Sequence, residues 1–93
     1  MELKEFQERI REIYYEKDSA RGTAGTFQWL AEEVGELARA LRTGNRENLD
    51  EEFADVLAWL VSLATLCGVS MEEAAGKYRK GCPKCMKTPC LCG

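Results

Sequence analysis

Two carboxylate pairs stand in mirror register about a single glycine. Glu33 and Glu36 precede Gly44 by eleven and eight residues, and Glu52 and Asp55 follow it by eight and eleven. Acids three apart share one face of a helix. Thr43-Gly44-Asn45 is a short polar break, so the spacing predicts two antiparallel helices joined by a tight turn, with opposite numbers equally far from it. The four acids are then expected to meet at adjoining levels of one helical hairpin.

Converging carboxylates repel one another unless a cation or water lies among them. The second helix argues for the cation. At about 100° per residue, Phe53, Val56, Leu57, Leu60, Ala64 and Cys67 make a core stripe, and Glu52 and Asp55 fall beside it with Trp59, Leu63 and Leu66. From Ala54 to Val69 the only charge is Asp55. A helix apolar almost all round is normally buried, and a buried carboxylate needs a partner or a metal. The first helix repeats the pattern, with Leu30, Val34, Leu37, Ala38 and Leu41 as core and Glu33 and Glu36 on a ledge with Trp29 and Ala40. All-oxygen ligation suits Mg²⁺ or Mn²⁺. The plainer alternative is a solvated acidic face with incidental spacing.

Glu32-Glu33-x-x-Glu36 followed by Glu52-x-x-Asp55, with VGELA after the first pair and ADVLAWL around the second, resembles the EExxE…ExxD signature of the MazG-like, all-α nucleoside triphosphate pyrophosphohydrolases. The resemblance covers roughly residues 20 to 80. It implies that Glu33, Glu36, Glu52 and Asp55 hold Mg²⁺ and that water attacks the α-phosphate of a nucleoside triphosphate, giving a monophosphate and pyrophosphate. Relatives with this signature include dimeric dUTPases, dCTP pyrophosphatases and phosphoribosyl-ATP pyrophosphohydrolase, so it names a reaction better than a substrate. With no histidine in the chain, proton transfer falls to carboxylates, water or the metal. Glu33 and Glu32 are the candidate bases, although the phase of Glu32 also suits a second-metal ligand or a surface residue.

Ninety-three residues make one small domain with a modest core. The expected fold is all-α, with about four helices around the hairpin and the bundle completed by a homodimer or homotetramer. Helices are expected at about Glu2–Asp18, Thr26–Arg42, the segment ending at Gly68, and about Met71–Lys80. Between the first two, Ser19–Gly25 with its two glycines reads as a break and a candidate lid, placing Arg21 near the cleft. Thr23 or Thr26 would cap the next helix, Asn45 or Asn48 the third, and Ser70 the fourth. The longest apolar run is short for a membrane span. The charged start Met1-Glu2-Leu3-Lys4-Glu5 shows no signal-peptide pattern, so a cytoplasmic location is expected.

Every acid lies at or before Glu73, whereas Lys77, Arg79, Lys80, Lys84 and Lys87 follow it. This basic segment suits either helix-end electrostatics or a polyphosphate. Lys77 and Lys80 are the candidate phosphate contacts, Lys77 also by resemblance. Trp29 and Trp59 are candidate nucleobase contacts, with core or interface filling as the alternative. A dedicated nucleic-acid surface is disfavoured because only Tyr78 interleaves the charges.

Beyond a helical domain at 1–80, the tail at 81–93 places Cys82, Cys85, Cys90 and Cys92 in a CxxC then CxC arrangement. Zn²⁺ is the expected ligand, with two disulfides or an iron–sulfur centre as alternatives. Four sulfur ligands leave no open position, so the tail is expected to be structural. A helical adaptor that binds nucleic acid or protein through this knuckle is the non-enzymatic alternative for the whole chain.

Overall fold

The computed structural model describes every residue from Met1 to Gly93. Three α-helices follow in order: α1 (Leu3–Thr43), α2 (Arg46–Leu66) and α3 (Met71–Ala75), the last tightening into a 3₁₀ turn at Gly76–Tyr78. The protein is all-helical, and α1 with α2 forms the antiparallel hairpin. The turn is built as its sequence requires. Gly44 is left-handed (φ 69°), a conformation cheap only for glycine, and its N–H donates to Ala40 O at 3.0 Å. Asn45 then caps α2, its side chain accepting from Asn48 N–H, and Ser70 caps α3 by accepting from Glu73 N–H at 3.3 Å.

The expected break at Ser19–Gly25 is present, with a first correction to its extent. Only Gly22 leaves helical dihedrals (φ 86°, ψ 173°), dividing α1 into two limbs, while Gly25 stays helical. Gly25 serves packing: a Cβ there would meet Arg21 Cγ at 2.7 Å. Thr26 is fully buried, 3.5 Å from the Arg21 guanidinium, and caps nothing. The fourth helix is also shorter than expected, its α-helical part ending at Ala75.

The N-terminal limb of α1 closes on the far end of α2 through one side chain. Gln7 Nε2 donates to Thr65 Oγ1 (3.0 Å) and Val69 O (2.9 Å), and its Oε1 accepts from Met71 N–H (2.9 Å). This clamp joins α1, α2 and the start of α3.

A second correction concerns the core. The most buried side of α2 carries Val61, Ser62 and Ala64, facing the two limbs of α1. The expected stripes are covered only in part: Leu30 and Ala64 are buried and Leu37 and Val56 half-buried, but Val34, Leu41, Phe53, Leu57 and Leu60 are exposed, as are Ala38 and Cys67. Helical periodicity identifies apolar faces but not which of them the same chain covers.

Candidate active site

Hairpin register brings Glu33, Glu52 and Asp55 together, with one carboxylate oxygen from each lying within 4.8 Å of the others. Glu36 stands outside this trio and turns toward Arg39, 3.9 Å away. Glu32 is exposed on the outer side of α1. The trio behaves as crowded acids should. Loss of hydration, then the charges of Asp55, Glu52, Glu36 and Glu32, raise Glu33 above the ordinary carboxyl value of 4.5. Glu52 is raised likewise by lost hydration and by Asp55, Glu36 and Glu51, with Arg39 opposing. Glu52 Oε2 is buried and has no hydrogen-bond partner. A buried, unpartnered carboxylate oxygen on a member of the acid trio suits an all-oxygen cation site. Glu33, Glu52 and Asp55 therefore fit a hard divalent ion.

These shifts have a definite sign. Glu33 and Glu52 hold protons more readily folded than unfolded, so between 4.5 and their raised values the folded state binds the excess protons. The metal-free protein should lose stability as pH rises through that window. A divalent ion selects the ionised acids, so the rise in melting temperature on adding Mg²⁺ should be larger at pH 8 than at pH 5. Thermal scans with and without Mg²⁺ at both pH values check this, and an equal or reversed increment would contradict it.

Asp55 also opens into a cavity of about 270 Å³. Its walls are Tyr14, Lys17, Asp18 and Arg21 from α1, and Asp55, Ala58, Trp59 and Ser62 from α2. Arg21 organises this space. Its guanidinium donates to the buried Asp18 carboxylate at 2.8 Å and lies over the Trp59 ring at 4.8 Å. Trp59 in turn stacks on Trp29, with centroids 5.9 Å apart and planes 13° from parallel. Arg21 thus shares a cavity with Asp55, the one member of the acid trio that reaches it.

Tyr14, Lys17, Asp18 and Ser62 were missed by reading apolar periodicity. A signal exists: residues 14, 17, 18 and 21 follow i, i+3, i+4, i+7 spacing, one face of a helix. Lys77 and Lys80 are exposed and line no part of this cavity. They follow α2, whose last eleven residues beyond Asp55 span roughly 16 Å.

At the other end of the chain, all four tail sulfurs gather within 4.8 Å of one another, a second group able to hold a metal ion. Backbone N–H groups of Cys85 and Lys84 pull the Cys82 thiol down to about 6, and thiol neighbours, Cys90 first, push Cys92 up to about 11. Gly81 makes the tail's entry possible. Its φ is 109°, and a Cβ there would meet Thr88 Oγ1 at 2.6 Å and Lys87 O at 2.9 Å. Gly81→Ala should therefore loosen the tail by roughly 1–3 kcal/mol, visible as faster amide exchange at Cys82 and Met86 with α2 unchanged.

A search of curated proteins found no match. The sequence does match the MazG nucleotide pyrophosphohydrolase domain over residues 21–86, a span that contains the acid trio, Arg21 and both tryptophans. With most of the chain matched and the acids brought together by the hairpin, the protein belongs to the MazG nucleotide pyrophosphohydrolase family.

Proposed function

We propose that this protein hydrolyses a nucleoside triphosphate to a nucleoside monophosphate and pyrophosphate, using Mg²⁺ or Mn²⁺ held by Glu33, Glu52 and Asp55, with Glu36 completing the set. The observation that carries this reading is the orphaned Glu52 Oε2 within an acid trio that opens, through Asp55, onto an aromatic and cationic cavity. When bound, the ion supplies Lewis acidity toward the triphosphate oxygens and the attacking water. Water adds to the α-phosphorus, the bond to the bridging oxygen breaks, and pyrophosphate leaves. The proton of the attacking water passes to a carboxylate of the same cleft, with Glu33 the first candidate. Glu32, exposed on the next position, is the alternative acceptor.

Lys17 and Arg21 offer positive charge on the cavity wall, and Trp59 on that wall, with Trp29 stacked on it but outside the lining, offers π surface for the base. Trp59 already carries Trp29 and Arg21 on its ring, whereas Trp29 is 46% exposed. A base therefore gains most from Trp29. Trp29→Ala should raise KM by roughly tenfold, the low end of a base–aromatic stack, with kcat within a few-fold; an unchanged KM would remove Trp29 from the base site.

Homo-oligomerisation belongs to the same proposal. Only eight residues are buried in one chain, while Val34, Leu41, Phe53, Leu57 and Leu60 form a continuing apolar face on the hairpin. A second copy covering that face would supply the missing core. Any substrate contact from Lys77 or Lys80 would then come from a neighbouring copy.

The test is pyrophosphate release from a panel of canonical and modified ribo- and deoxynucleoside triphosphates plus phosphoribosyl-ATP, with Mg²⁺, Mn²⁺ or EDTA. Metal-dependent release supports the proposal and reveals base and sugar. Release from phosphoribosyl-ATP alone would reassign the substrate, and silence across the panel would leave a helical adaptor.

A further inference from the structure

The C-terminal tail is compact without a core. From Gly81 to Gly93 there is no helix or strand, and no residue is buried. Yet the chain doubles back on itself: Cys82 N–H donates to Lys87 O at 3.0 Å, Met86 N–H donates to Cys82 O at 2.6 Å, and Met86 takes the left-handed conformation (φ 62°). Conformational entropy opposes such a turn with nothing apolar to offset it.

What the turn does accomplish is to converge four sulfurs. Cys82 Sγ and Cys92 Sγ are 3.7 Å apart, and Cys85 Sγ and Cys90 Sγ 4.0 Å apart. Zinc–thiolate bonds of about 2.3 Å directed to tetrahedral corners set sulfur–sulfur edges of about 3.8 Å. A disulfide needs about 2.05 Å. The spacing therefore describes the edges of a coordination tetrahedron and not two covalent bonds. Backbone amides also address the sulfurs: Leu91 N–H donates to Cys85 Sγ at 3.4 Å and Cys92 N–H to Cys90 Sγ at 3.3 Å. Amide donors of this kind support sulfur in its anionic, metal-ligating form.

We propose that Cys82, Cys85, Cys90 and Cys92 form a tetrathiolate zinc site whose occupancy folds the tail, independent of the carboxylate site and its reaction. Separations under 4.8 Å leave room for one ion and none for a sulfide-bridged cluster. Among single ions, an all-sulfur donor set selects a soft or borderline metal, and Zn²⁺ binds more tightly than Fe²⁺ in the ordinary affinity order. The site also explains charges that the hydrolase reading leaves over. One Zn²⁺ with four thiolates carries two negative charges, and Lys84 and Lys87 lie within the same short loop. The family match ends at Met86, so Cys90 and Cys92, half of the donor set, lie outside the matched domain.

The experiment uses the full chain, purified without added zinc or reductant. Metal analysis should find one zinc per chain, falling to none in Cys82→Ser/Cys92→Ser. Replacement by Co²⁺ should give the visible bands of tetrahedral thiolate-bound cobalt in the wild type only. Limited trypsin digestion reads the coupling to folding: cleavage after Lys84 and Lys87 should speed up roughly tenfold or more on zinc removal, while the helical circular dichroism persists. Wild-type protein without zinc, with iron in its place, or with the mass deficit of two disulfides would overturn the proposal. So would tail cleavage indifferent to the metal. None of these outcomes depends on whether the protein hydrolyses nucleotides.

Discussion

Asp55→Asn should lower metal-dependent pyrophosphate release by at least about 10²–10³-fold, the usual cost of removing one electrostatic contributor from a preorganised site, while the metal-free variant melts at a higher temperature than wild type. The opposite signs share one cause. Asp55 is the largest charge-based contributor to the raised proton affinities of both Glu33 and Glu52. Neutralising it relieves repulsion in the empty site and weakens the site's hold on the ion. The variant should also lose most of the thermal stabilisation that Mg²⁺ confers on wild type. Glu52→Gln should follow the same pattern, because it replaces the orphaned oxygen of the trio. Glu36→Gln should be milder, since Glu36 stands outside the trio and faces Arg39. Pyrophosphate release and melting curves on these three variants check the pattern. Wild-type turnover in Asp55→Asn would remove the carboxylate cleft from the reaction.

Arg21→Ala should cost about 2 kcal/mol of folding stability, the middle of the range for stranding a buried polar group and low for a charge. Asp18 is only 4% exposed and its one ion-pair partner is Arg21 at 2.8 Å. The estimate is kept low because the neighbouring cavity admits water to the unpaired carboxylate. For a domain of this size the expected fall in melting temperature is roughly 8–16 °C. Part of the loss comes from packing, as the guanidinium also covers Trp59. Asp18→Asn placed on top of Arg21→Ala should recover most of the electrostatic share, and the double-mutant cycle measures it. Additive effects of the two substitutions would mean that the ion pair contributes nothing to folding. In activity assays Arg21→Ala should raise KM, because the same guanidinium lines the cavity beside Asp55.

Local chemistry was legible along the chain. Gly44 between two helical patterns specifies a left-handed turn, Asn45 and Ser70 specify caps, and the mirrored spacing about Gly44 places Glu33 against Glu52 and Asp55. Each of these depends on residues within a few turns of one another, so the backbone's own preferences decide them. Four cysteines in so short a segment likewise converge with little help from the rest of the fold. Long-range packing decided what the sequence left open. Gly25 lies within the helix where a Cβ would crowd Arg21, and Asp18, Lys17 and Tyr14 line the cavity from the limb of α1 that precedes the Gly22 break. How much of each apolar stripe is buried was likewise a tertiary choice: Ala64 of the expected stripe is buried beside Val61, while Phe53, Leu57 and Leu60 of the same stripe are left uncovered by the single chain. Periodicity states that a helix has an apolar face, but only the positions of its neighbours determine which face a single chain covers.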